Sequence, residues 1–163
     1  MKTTLRMATL VMMLGLALVL AACGGGGNTS GGGSAAPAPT GPVTIDIAAD
    51  GENLAFDKTT LTVGAGQQVT LNFDNVSVAQ QHNWVLVNGG EDVSSAVATA
   101  GLMAGLAAEY LPADRSQIIA NTGVLNGGAK ETITFTAPGP GTYLYICTVP
   151  GHYPLMQGTL IVN

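Results

Sequence analysis

Pro138-Gly139-Pro140-Gly141, then Thr142-Tyr143-Leu144-Tyr145-Ile146-Cys147, then Thr148-Val149-Pro150-Gly151-His152-Tyr153-Pro154-Leu155-Met156-Gln157-Gly158, reads as a breaker, a strand and a turn-rich loop. Two prolines and two glycines cannot continue a regular element. The six residues after them are aromatic, β-branched or apolar, as a half-buried strand requires. A second strand pattern, Gly158-Thr159-Leu160-Ile161-Val162, follows the loop and ends the chain. The loop therefore joins two neighbouring strands. Cys147, His152 and Met156 fall at its start, middle and end.

Outward from this loop, the pattern stays β. Val43-Thr44-Ile45-Asp46-Ile47, Gln68-Val69-Thr70-Leu71-Asn72-Phe73 and Glu131-Thr132-Ile133-Thr134-Phe135-Thr136 alternate with period two. Thr60-Leu61-Thr62-Val63 precedes the turn Gly64-Ala65-Gly66, and His82-Asn83 precedes the apolar run Trp84-Val85-Leu86-Val87. Several short strands separated by Gly/Pro turns predict an all-β sandwich. One stretch differs. Between Asp92 and Leu111 the chain is rich in Ala and Leu, and Val93, Val97, Ala100, Ala104 and Ala107 recur at helical spacing. Glu91 and Asp92 suit a helix start and Pro112 its end, so a helical insertion over 92–111 is expected, with Met103 as a packing residue.

The N-terminal region is of another kind. Lys2 and Arg6 precede the uncharged run Met7 to Leu20, too short for a membrane span of about 20 residues. Leu20-Ala21-Ala22-Cys23 resembles a lipobox, which implies a signal peptide over 1–22 and lipidation of Cys23. Gly24 to Pro42 holds eight Gly, three Pro and no charge, a composition that predicts a flexible linker. The folded domain is then expected over 43–163, exported and held at the outer face of the cell membrane.

Composition narrows the function. The chain has 163 residues, with five Lys and Arg against ten Asp and Glu, two Cys and two His. Losing the signal removes Lys2 and Arg6, leaving three cations against ten carboxylates and a charge of -7. An acidic chain of this kind does not suit nucleic acid, which selects basic surfaces. Two Cys exclude a disulfide-dense scaffold. Two His cannot build a multicopper or three-His zinc site.

The remaining donors form a coherent set. Cys147, His152 and Met156 share one loop, and His82 is the other imidazole in the chain. Thiolate, two imidazoles and a thioether suit both copper oxidation states, and His₂Cys with a weak axial Met is the blue-copper arrangement. Structural zinc does not ordinarily use Met. Haem attachment through Cys-x-x-Cys-His is absent, and an iron–sulfur cluster would lack thiolates. Two other readings stand beside this one. Cys147 with either His could be a nucleophile and its base, although Met156 then has no role. The protein could also be a copper carrier or store without electron transfer.

Cys147-Thr148-Val149-Pro150-Gly151-His152 with Met156 and Gly158 resembles the ligand loop of azurin-like cupredoxins, and His82-Asn83-Trp84-Val85-Leu86 resembles the segment carrying their first His. The lipobox and the domain together resemble the membrane-associated blue copper proteins of filamentous green phototrophs. The resemblance implies a cupredoxin-like Greek-key β-sandwich of about eight strands with one mononuclear type 1 copper. It implies His82, Cys147 and His152 as equatorial ligands and Met156 as the axial one, in a monomer that transfers single electrons and is not an enzyme. The implied partners are a c-type cytochrome, a quinol-oxidising complex or a photosynthetic reaction centre. In azurin-like proteins the residue before the first His is Gly; here it is Gln81. Gln81, Asn83 and Thr148 are candidates for bracing the site from outside the ligands. His82, beside the apolar run, is expected to be the more buried imidazole. The ring edge of His152 is expected to be the electron port, within an apolar rim of Val149, Pro150, Tyr153, Pro154 and Leu155.

Overall fold

The computed structural model describes residues 41–163. The expected signal peptide, Cys23 and the linker as far as residue 40 lie outside the described residues. Eight strands form two sheets. They are β1 (Val43–Ala48), β2 (Thr60–Val63), β3 (Gln68–Asp74), β4 (Val85–Val87), β5 (Ile118–Asn121), β6 (Lys130–Thr136), β7 (Gly141–Ile146) and β8 (Gln157–Val162). One sheet has the order β1-β3-β6 and the other β2-β8-β7-β4-β5. The terminal pairings β1/β3 and β2/β8 are parallel and the others antiparallel. This is the all-β sandwich that the alternating runs predicted. The strand β5 was not foreseen: Ile118-Ile119-Ala120-Asn121 has no alternation, and all four residues are half-buried.

The sandwich core is built from the inward residues of both sheets, among them Leu71, Phe73, Trp84, Leu86, Tyr145 and Leu160, all fully buried. Apolar burial at about 25 cal/mol per Å² is what holds such a sandwich together. Cys147 is a free, buried thiol, so packing carries that task here without a disulfide partner for it.

A helix α1 (Glu91–Ala104), followed by a 3-10 turn over Leu106–Ala108, occupies the expected insertion. It ends earlier than 111 because Gly105 takes a positive φ of 76°. Its inward face is Val93, Ser94, Val97, Ala98 and Gly101, offset from the stripe read off the sequence; Ala100, Ala104 and Ala107 are exposed. Val97 packs with Val85, Val87, Leu111 and Ile146 in a second cluster on the outer face of the larger sheet. The unbroken run Trp84 to Val87 is thereby explained. Strand β4 is covered on both faces, so all three of its residues are buried and none needs to be polar. Met103, expected to pack, is instead 82% exposed. Among the described residues no helix is long and apolar enough to cross a membrane.

Candidate metal centre

Three segments meet at one end of the sandwich. His82 precedes β4 and is pinned across to Leu125, donating its N–H to the Leu125 carbonyl at 3.1 Å and accepting the Leu125 N–H at 2.8 Å. Cys147 follows β7 directly. His152 and Met156 lie in the loop back to β8. The loop closes on itself, because the Met156 N–H donates to the His152 carbonyl at 2.9 Å and the Cys147 N–H to the Met156 carbonyl at 3.0 Å.

The side chains converge. The ligating atoms of His82, Cys147 and His152 all lie within 4.8 Å of one another. The two Nδ1 atoms are 3.1 Å apart, and Cys147 Sγ is 3.4 Å from His152 Nδ1 and 3.9 Å from His82 Nδ1. His82, Cys147 and Met156 are fully buried, whereas His152 is half-buried. His82 is therefore the inner imidazole, as expected.

The electrostatics suit a cation. Burial holds the His82 imidazole down at about 4, with His152 adding to the effect and Glu52 opposing it. Burial lowers His152 too. Both rings are then neutral and offer lone pairs. Burial also pushes the Cys147 thiol up to about 11, although the backbone N–H groups of Asn83 and Val149 act in the opposite direction. A thiol sealed from solvent and held protonated is a poor nucleophile, so the thiol-enzyme reading finds no support. The same sulfur, with two amide donors and two neutral imidazoles around it, makes a soft and borderline donor set that fits copper in either oxidation state.

The residues around these donors brace them. Asn83, fully buried, donates from Nδ2 to Thr148 Oγ1 at 2.8 Å, and its Oδ1 accepts the Thr148 N–H at 2.8 Å. Two reciprocal bonds thus tie the His82 segment to the Cys147 loop. Asn83 Nδ2 also reaches the Glu109 carbonyl at 3.3 Å, linking both to the end of the helical insertion. Gln81 is half-buried and donates to Asn126 Oδ1 at 2.7 Å.

Several supporting contacts join residues that no local sequence pattern pairs. Asn75, fully buried, donates to the carbonyls of Gln80 and Leu125 at 2.9 Å each and accepts the Ser77 N–H at 3.2 Å. It holds the 75–81 loop that delivers His82. Asn75-Val76-Ser77 matches a glycosylation pattern, but both amide hydrogens of Asn75 point at protein carbonyls. Thr122 accepts the Trp84 N–H at 2.9 Å. Gly158 faces Tyr145 across β7 and β8, and a Cβ there would lie 2.2 Å from the phenol ring. Tyr145 uses that space to donate to the Lys58 carbonyl at 2.7 Å.

Comparison with known proteins agrees with this geometry. Residues 43–163 match the model for copper binding proteins of the plastocyanin/azurin family. The chain is 61% identical over its full length to Auracyanin-A of Chloroflexus aurantiacus, all of which is covered. A solved structure of auracyanin A, a "blue" copper protein of that bacterium, superposes with a TM-score of 0.73 at 65% identity, over 75% of this chain and 99% of that one. Dithionite-reduced auracyanin from Roseiflexus castenholzii gives 0.72 at 55% identity, over 74% and 96%. The chain belongs to the plastocyanin/azurin family of copper-binding proteins.

Proposed function

We propose that His82, Cys147, His152 and Met156 would hold one type 1 copper ion, with the thiol and the two imidazoles as its closely gathered donors. The protein carries single electrons through this centre and is not an enzyme, a reading that its family membership and donor set support. The convergence of one thiol and two neutral imidazoles within 4.8 Å carries the reading. The copper supplies the Cu(II)/Cu(I) couple, and everything else falls to the chain. Buried Asn83 and Thr148 hold the two ligand segments at a fixed separation, so that little rearranges when the charge changes. The Asn83 and Val149 amides stabilise negative charge on the sulfur. The half-buried edge of His152 is the exit for the electron.

The finer assignments form part of the same proposal. Residues 1–22 act as an export signal, Cys23 carries the lipid, and the linker lets the 43–163 domain turn above the outer face of the membrane. The domain works as a monomer. Its redox partners are a c-type cytochrome, a quinol-oxidising complex or a reaction centre.

Absorption and EPR spectra of the copper-loaded protein test the ligand assignment. An intense thiolate-to-Cu(II) band that reductant bleaches and oxidant restores is expected, and Cys147→Ser removes it. A colourless copper complex, or copper lost on each reduction, would instead indicate a carrier or store.

A further inference from the structure

The 75–81 loop that delivers His82 is held largely by side chains. Asn75 ties its start to the carbonyls of Gln80 and Leu125. The Ser77 hydroxyl donates to the Gln80 carbonyl at 2.8 Å, and Gln81 donates to Asn126. A further partner comes from the connection between β1 and β2. There the Glu52 carboxylate accepts the Val78 N–H, and the Gln80 side-chain amide donates to the Glu52 carbonyl at 2.7 Å. Of the side chains that hydrogen-bond this loop among the described residues, Glu52 alone is charged.

The turn that carries Glu52 is itself fixed. The Asp50 N–H donates to the Ala55 carbonyl at 2.9 Å and the Asn53 N–H to the Asp50 carbonyl at 3.0 Å. The Asn53 side chain donates to the Asp50 carboxylate at 3.1 Å. Phe56, just beyond the turn, is buried in the sandwich core and packs edge-on against Phe73 and Tyr145. An exposed glutamate ordinarily keeps its rotamer freedom, and fixing one costs entropy. Here a rigid turn on one side and the Val78 N–H on the other restrain it.

The charge on Glu52 is not cancelled locally. The ion pairs among the described residues are Lys58–Asp57 and Lys130–Asp74, and Glu52 takes part in neither. His82 is fully buried, and Glu52 is the carboxylate whose field favours positive charge on its ring. A charge acts more strongly on a group sealed from water than on an exposed one. Reduction of the site removes one positive charge at this point. A fixed anion on the His82 side therefore favours the oxidised form and lowers the reduction potential.

We infer that Glu52 is a positioning and potential-setting residue, which holds the His82 loop through the Val78 N–H and adds an unpaired negative charge that stabilises the oxidised site. It acts through His82 and not by coordination. The inference rests on the proposed copper site and gives the β1–β2 connection a part in its chemistry. The two effects are separable, because the hydrogen bond needs only an acceptor oxygen and the field needs the charge.

The test compares the midpoint potential of the copper-loaded full chain with those of its variants, by voltammetry at low and high salt. Glu52→Gln keeps an oxygen for the Val78 N–H and removes the charge. Glu52→Ala removes both. Asp46→Asn removes an equal charge from an exposed position in the middle of β1. Glu52→Gln should keep the parent's charge-transfer band and the urea stability of the apo protein. At a fixed ambient potential its Cu(II)/Cu(I) ratio should shift about threefold toward Cu(I), a rise of about 30 mV where tenfold is about 59 mV. That difference should shrink as salt rises. Asp46→Asn should keep the parent's potential. Glu52→Ala should show the same rise and, in addition, faster copper loss to a chelator. A Glu52→Gln protein with the parent's potential at low salt overturns the inference, and so does an equal rise in Asp46→Asn, which would reduce the effect to net charge. Copper loss from Glu52→Ala no faster than from Glu52→Gln overturns the positioning half. If the parent itself shows no reversible Cu(II)/Cu(I) couple, the copper reading fails, and the role of Glu52 falls with it.

Discussion

Asn83→Leu preserves the shape of a fully buried side chain and removes all its hydrogen-bonding capacity. In the parent structure Thr148 is 2% exposed, and both its N–H and its hydroxyl are satisfied by Asn83 at 2.8 Å. The substitution leaves both groups buried without a partner. An orphaned buried polar group costs about 1–3 kcal/mol. Two of them, partly offset by the leucine's own apolar burial, give a loss of about 2–4 kcal/mol. The more exposed Glu109 carbonyl can turn to water and adds little. For a domain of this size the melting temperature should fall by about 10 °C. The unfolding of apo protein in urea measures the stability term without any contribution from copper. In the loaded protein, loosening the tie between the ligand segments should move the reduction potential and the charge-transfer band and speed copper loss to a chelator. Thr148→Ser keeps both bonds and should behave as the parent. In a cycle with Thr148→Val the two changes should be non-additive, because they share one interaction. An Asn83→Leu protein within about 0.5 kcal/mol of the parent, with the same potential and spectrum, would refute the bracing role.

Further outcomes follow from other contacts. Gly158→Ala places a methyl 2.2 Å from the Tyr145 ring, so the ring must leave its bond to Lys58; a loss of about 1–3 kcal/mol in urea unfolding is expected. Asn75→Ala removes three hydrogen bonds from the loop that delivers His82. It should cost about 2 kcal/mol and accelerate copper loss, whereas Asn75→Ala with unchanged copper kinetics would confine Asn75 to general stability. Met156→Leu fills a fully buried position with similar volume. It should retain copper and raise the potential, since a weak donor favouring Cu(II) is lost; an unchanged potential in voltammetry would argue against Met156 as axial ligand.

The strands and the donors were legible for different reasons. Alternation at Gln68 to Phe73 and at Glu131 to Thr136 marks strands directly, because each has one face in the core. Cys147, His152 and Met156 stand close together in one loop, so their meeting needs only a turn. His82 is 65 residues from Cys147 in sequence, and the pairing of β4 with β7 is what brings it there. It was legible by elimination, being the other imidazole in the chain. The helix was found, but its face was misread. Ala is apolar in a periodicity count yet small enough to sit in water, and a Cβ on Gly101 would come within 2.1 Å of the Tyr110 carbonyl. That close approach rotates the buried stripe away from Ala100 and Ala104. Met103 was misplaced for the same reason.

By itself the sequence determined the fold class, the donor set and their chemistry, since these depend on residue type and short-range period. The tertiary structure alone decided how the donors are held. The reciprocal Asn83–Thr148 bonds, the Asn75 anchor and the fit of Tyr145 over Gly158 each join residues far apart in the chain, and no local pattern records such a partner. It also decided which apolar residues remain in water. Burial depends on what packs against a side chain, and for Leu102, Met103 and Leu106 the described chain supplies too little to cover them.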